Sequence, residues 1–188
     1  MKMLYILMIR FPGRASKIME FLHGCRYPHA SIGLEEDLNT FYSFVKKGFI
    51  VEKVTRYVKP DRRPYPCRLY RLPVQDEVYA EVKARLGRFA CSRQQYRYTQ
   101  TGLILSNLRI PFKRRYHYFC SHFVAEVLKY TDSAPLRLPS SMYLSSDLER
   151  LADVQLVYEG DLKHMIERFE LKQQLADSPE QGAAMVTA

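Results

Sequence analysis

Five short, strand-like apolar runs fall within the first 74 residues, against a single helical pattern. The runs are "MKMLYILMI", "HASIGL", "NTFYSFV", "FIVEKVTRYV" and "CRLYRLPV". Between the first two, "GRASKIMEFLHG" spaces Ile18, Phe21 and Leu22 at helical intervals and ends on Gly24, a suitable C-cap. "HASIGL" and "NTFYSFV" flank the acidic turn "EEDL" and read as a hairpin, while the proline-rich "KPDRRPYP" reads as a loop. Strands and helices that mix without a steady βαβ alternation favour an α+β fold on an antiparallel β-sheet.

Downstream the helical period takes over. "QDEVYAEVKARLGRF" places Val78, Val82 and Leu86 on one face with acids early, as a helix requires. "YTQTGLILSNL" fits either element and is read as a helix. Another helix is expected from about Ser121 to Tyr130, and a short one in "SSDLERLA" capped by Ser145 or Ser146. "DVQLVYEG" reads as a last strand and "LKHMIERFELKQQL" as a terminal helix. A single domain over residues 1–175 follows, with residues 176–188 too poor in large apolar side chains to pack and expected to be disordered.

Charge and cysteine usage narrow the function classes. The chain carries 29 Lys and Arg against 20 Asp and Glu, a net +9. The basic residues stand in short, separate groups ("KK", "DRR", "FKRR"), so a solubilising surface is expected rather than a specific nucleic-acid site. "MKMLYILMI" is too short and lacks a small-residue cleavage site, so it reads as a strand and not as a signal peptide. No run approaches the ~20 apolar residues of a membrane span. The four cysteines (Cys25, Cys67, Cys91, Cys120) form no CxxC pair. Neither a zinc site nor a disulfide framework is indicated, no cofactor is called for, and a reduced, cytoplasmic protein is expected.

One cysteine stands apart. In "RYHYFCSHFVAEVL", Phe123, Val124, Val127 and Leu128 follow Cys120 at helical spacing, so Cys120 begins an apolar stripe. Cysteine packs well as a small hydrophobe, which is one reading of it. The other starts from its position at a first helical turn, where free N–H groups favour the thiolate and can hold an oxyanion. A nucleophilic thiol also needs a base. His117 and His122 face away from the stripe of a regular helix, and His23 and His164 lie in helical patterns with no evident partner. His29 opens "HASIGL", a core strand where an imidazole is either a hydrogen-bonded strand end or a working base. Ser43 on the adjacent strand, with Asn39 and Thr40 behind it, is a candidate to orient that ring. A metal site from His117, Cys120 and His122 lacks the usual ligand spacing.

Taken together, "YPHASIGLEEDLNTFYSF" and, far downstream, "YHYFCSHFVAEVL" resemble the circularly permuted papain-like cysteine hydrolases, the NlpC-type amidase and peptidase superfamily. More narrowly the chain is similar to a bacterial group, common in Firmicutes, with "HASI", "YSF", "CSxFVAxVL" and "YEG" landmarks. The likeness runs from the first strand to about Leu162. It implies a permuted papain-like fold with the cysteine helix packed on one face of the sheet. It also implies that Cys120 is the nucleophile and His29 the base. The third polar residue departs from the superfamily's His, Glu, Asn or Gln, because Ser43 holds that position in the hairpin. The substrate class implied is an amide or ester, carried by a peptide, a peptidoglycan fragment or a lipid-like molecule. Acyltransferases and thioesterases share this machinery, and a degenerate member would be a binding module.

Overall fold

A computed structural model describes residues 1–13, 20, 25–59, 65–129 and 135–176, with side chains through residue 169. The helical pattern of residues 14–24 and the tail beyond Ala176 therefore lie outside the described residues, Glu20 excepted. The five early runs all become strands: β1 (Lys2–Ile9), β2 (His29–Leu34), β3 (Thr40–Val45), β4 (Gly48–Lys53) and β5 (Pro66–Val74). With β8 (Gln155–Asp161) they form one six-stranded sheet in the order β4-β3-β2-β1-β5-β8, every pairing antiparallel. The "FIVEKVTRYV" run is strand only as far as Lys53. A 3₁₀ turn, Val54–Tyr57, follows and brings Tyr57 back towards the strand it has just left. Gly48 has φ +103° at the turn into β4, a conformation that disfavours any side chain.

Alternation on the central strands divides the core in two. Leu4, Ile6 and Met8 of β1, with Ala30, Ile32 and Leu34 of β2, pack towards α1 (Asp76–Cys91) and α3 (Cys120–Leu128). Leu7 and Ile9, with Phe41, Cys67 and Leu69, pack on the opposite face against Leu162 and Met165 of α5 (Leu162–Ala176). Helix α3 lies on β2 and β3. It is held there by an aromatic cluster in which Phe123 meets Phe89, Phe44 and Phe49 at 5.0, 5.1 and 5.6 Å between ring centres.

Two expectations change. Burial of residues 120–128 is not confined to the apolar stripe: all nine are buried, His122 and Glu126 included. The sheet covers one side, and the segment from Ser140 through α4 (Ser145–Leu148) covers the other. Neither Ser145 nor Ser146 caps α4. Leu144 occupies the cap position, with the Asp147 carboxylate accepting from its N–H at 2.8 Å. The ambiguous "QTGLILSN" is the helix α2 (Gln100–Asn107), capped by the Thr99 hydroxyl, which accepts from the Gly102 N–H at 2.9 Å. A two-stranded parallel ribbon, β6 (Arg97–Tyr98) with β7 (His117–Tyr118), brackets α2 and leads directly into Cys120. Among the described residues no helix is long and apolar enough to cross a membrane.

Candidate active site

The break between β7 and α3 places Cys120. Phe119 keeps extended backbone at φ −111°, ψ 170°, so the helix begins at Cys120 and the N–H groups of its first turn are free of intrahelical bonds. The thiol lies 3.5 Å from the Pro28 carbonyl, at the point where β2 begins. His29 is the next residue. Its side chain is 10% exposed, and its Nε2 lies 3.1 and 3.2 Å from the two carboxylate oxygens of Glu52. Cys120 and the His29 ring shift each other's protonation, and with Nε2 taken by the carboxylate Nδ1 is the ring nitrogen left to serve the thiol. Phe11 packs against the imidazole at 5.2 Å, and the Tyr57 hydroxyl donates to Glu52 at 2.6 Å.

Ser43 does not orient the ring. It stands on the expected strand and on the same face as Phe41, but its hydroxyl is fully buried and donates to the Ala30 carbonyl at 2.6 Å. The paired register of β2 and β3 comprises only Ile32 with Tyr42 and Gly33 with Phe41, and the Ser43 hydroxyl meets a carbonyl beyond it. The orienting group is Glu52, one strand further out on β4, a 5% exposed carboxylate. A signal for it exists in "FIVEKV": Glu52 alternates with Ile50 and Val54, which assigns an acid to an inward face. Asn39 and Thr40 serve the β3 entry, where the Asn39 carboxamide accepts from the Thr55 N–H at 3.1 Å.

Charge sets Cys120 apart from the other buried cysteines. Burial pushes Cys25 up to about 11 and Cys67 up to about 12, as it does for thiols that only pack. Cys120 is as buried, and burial is again the largest influence on it. Here, however, the His29 imidazole and the N–H groups of Ala30 and Ser121 outweigh that penalty and hold the thiol below its ordinary value. For His29, burial works against the imidazolium, but the Glu52 carboxylate and Cys120 together raise it from 6.5 to about 10. Burial likewise opposes the Glu52 carboxylate, and His29, Tyr57 and Ser31 hold it below the usual range. The three groups thus stabilise one another as thiolate, imidazolium and carboxylate. Tyr98, on the ribbon before α2, is a further residue of the site that the motifs did not single out. Burial first, and the charge of Cys120 second, push its phenol up, so it keeps its proton beside the thiol.

His23 lies outside the described residues, and the other histidines are elsewhere. His117 Nδ1 meets the Arg115 carbonyl at 2.8 Å, and His164 pairs with Asp161 at 2.5 Å. No group of three or more His, Cys, Asp or Glu among the described residues is arranged to hold a metal ion. His122 is 1% exposed between Tyr118 and Phe119, at 4.8 and 5.3 Å, and neither ring nitrogen has a hydrogen-bond partner. Burial lowers it from 6.5 to about 4 despite nearby Glu126. A base with a depressed folded value loses stability as pH falls below its unfolded value. The loss grows until the folded value is passed and reaches about 3 kcal/mol. His122→Phe is therefore expected to flatten the acid limb of stability between about pH 6.5 and 4, as urea unfolding across that range will show.

Compared with protein-family models and with curated proteins, the chain matches none.

Proposed function

We propose that the protein is a cysteine hydrolase that opens an amide or ester through an acyl-enzyme, on a permuted papain-like fold. The observation that carries this is the Cys120–His29–Glu52 line. One buried cysteine out of three is lowered, and it is the one at a helix start beside a carboxylate-held imidazole. The order of motifs, histidine strand before cysteine helix, supports the same reading, as does the antiparallel sheet beneath α3.

In this reading the Cys120 thiolate attacks the substrate carbonyl, forming a carbon–sulfur bond and a tetrahedral oxyanion. N–H groups of the first turn of α3 hold that oxygen, and the protonated Tyr98 phenol, which feels the charge of Cys120, is a candidate second donor. The His29 imidazolium gives its proton to the leaving amine or alcohol as the carbon–heteroatom bond breaks. Neutral His29 then takes a proton from water, the resulting hydroxide attacks the thioester, and the acid product leaves Cys120 as thiolate again. Glu52 keeps Nε2–H directed away from the sulfur and carries the compensating charge. An amine or alcohol in place of water would make the same machinery an acyltransferase.

A p-nitrophenyl ester tests the proposal. The expected result is a burst of nitrophenol with an acyl group on Cys120, located by peptide mass spectrometry and absent in Cys120→Ala. Acylation at Cys91, the exposed thiol, with none at Cys120 would contradict it.

A further inference from the structure

The segment between Tyr98 and Tyr118 has two properties that the proposed chemistry does not use. The first is charge. From Val82 to Ala125 the sequence has no Asp or Glu and nine Lys or Arg. Removing those nine from 29 leaves 20 basic residues against 20 acidic ones, so the net +9 resides in residues 82–125, with Arg109, Lys113, Arg114 and Arg115 between Tyr98 and Tyr118 and Arg97 just before it. The second is apolar exposure. Ile104 is 62%, Leu108 64% and Ile110 48% exposed. Ile104 and Leu108 are four residues apart, hence on one face at the end of α2. A cleft of about 680 Å³ is lined by Pro111 and Lys113 of this segment together with Leu138 and Pro139.

This excursion is tied firmly to the body. It leaves and returns on the paired strands β6 and β7, Arg97 opposite His117 and Tyr98 opposite Tyr118. Arg109 grips Asp147 through two hydrogen bonds of 2.9 Å, and Lys113 meets Glu126 at 3.2 Å. Arg97, Arg114 and Arg115 are exposed, and none pairs with a carboxylate among the described residues.

We propose that this excursion docks the protein on an anionic lipid surface. The side chains of Ile104, Leu108 and Ile110 enter the acyl boundary, and Arg97, Arg114 and Arg115 meet the phosphates. Exposed aliphatic residues on the same excursion as exposed arginines suit an interfacial segment, whose affinity sums apolar burial and attraction to anionic lipid. A nucleic acid would call for exposed rings to stack bases. Here Tyr96 and Tyr118 are half-buried against Phe89, at 4.5 and 5.7 Å. A second copy, related by a two-fold axis, would bring this positive surface against itself.

The test is co-sedimentation with sucrose-loaded vesicles, made either of equal parts phosphatidylglycerol and phosphatidylcholine or of phosphatidylcholine alone. The protein is expected to sediment with the anionic vesicles, more weakly as salt rises, and not with the neutral ones. The double variants Ile104→Asp with Leu108→Asp, and Arg114→Glu with Arg115→Glu, are each expected to weaken binding about tenfold or more while melting as the parent does. No binding to anionic vesicles, equal binding to neutral ones, or full binding by both variants would overturn the proposal. So would a solution dimer, or oligonucleotide binding, that the Ile104 and Leu108 changes abolish. None of these outcomes depends on turnover at Cys120, so the docking stands or falls apart from the hydrolase reading.

Discussion

Replacing His29 with Ala is expected to slow alkylation of Cys120 by iodoacetamide at about pH 6 by roughly a hundredfold. The size follows from which form of sulfur reacts. A thiol of ordinary value, about 8.5, is thiolate in only about one molecule in 300 at that pH. In the folded protein His29 and the N–H groups of Ala30 and Ser121 hold Cys120 below its ordinary value. Removing the imidazole leaves the burial penalty in place and takes away the largest opposing influence, so the thiol returns to or above its ordinary range. Cys91 is exposed and far along the chain from the site, and peptide mapping gives its rate as an internal reference that the substitution leaves alone. His29→Gln, which keeps polar bulk at the strand end, is expected to behave as His29→Ala does. Equal Cys120 rates in parent and both variants would show that the sulfur is only a packed side chain.

Glu52→Ala is expected to cost about 3–5 kcal/mol, because it removes one partner of a buried charged pair and strands the other. Glu52 accepts from both His29 and Tyr57, so the loss leaves an imidazole and a phenol facing a cavity. In a chain of this length that corresponds to a drop of roughly 10 °C in melting temperature. The pH dependence has a definite sign. His29 is raised in the fold, so its contribution is complete below about 6.5 and is lost as pH rises through about 10. Glu52 is lowered, so its contribution is present above its ordinary 4.5 and is lost as pH falls through its folded value. The gap between parent and variant is therefore expected to be widest between about pH 4.5 and 6.5 in urea titrations. Glu52→Gln keeps the shape and should cost less stability, yet slow Cys120 alkylation about tenfold by releasing the imidazole from its carboxylate. A melting curve unchanged by Glu52→Ala would contradict the buried pair.

Particular residues show how far the sequence carries. The strand runs were legible because each is a short apolar run bounded by turn residues, continuous in β1 and alternating in β5, and the short "EEDL" turn sets β2 against β3. Cys120 and His29 were legible as a pair because each opens its element, one at a helix start and one at a strand start. Ser43 misled for a reason that alternation cannot reveal. It does stand on the strand next to β2, but its hydroxyl satisfies the Ala30 carbonyl. Glu52 escaped because a charged residue in "VEKV" looks like edge-strand surface, whereas Tyr57 folds back over it from the 3₁₀ turn. The burial of His122 and Glu126 was invisible for a similar reason. The layer that covers the outer side of α3 comes from residues 140–148, which carry little periodicity of their own.

The hydrolase reading rests on His29 being an imidazolium facing a thiolate. The most direct measurement is a pH titration of the His29 ring by nitrogen-15 NMR, with Cys120→Ala as the companion sample. The ring is expected to remain protonated through about pH 8, to titrate only towards about 10, and to shift to lower pH when Cys120 is removed. A His29 ring that titrates near 6.5, and does so identically in Cys120→Ala, would contradict it.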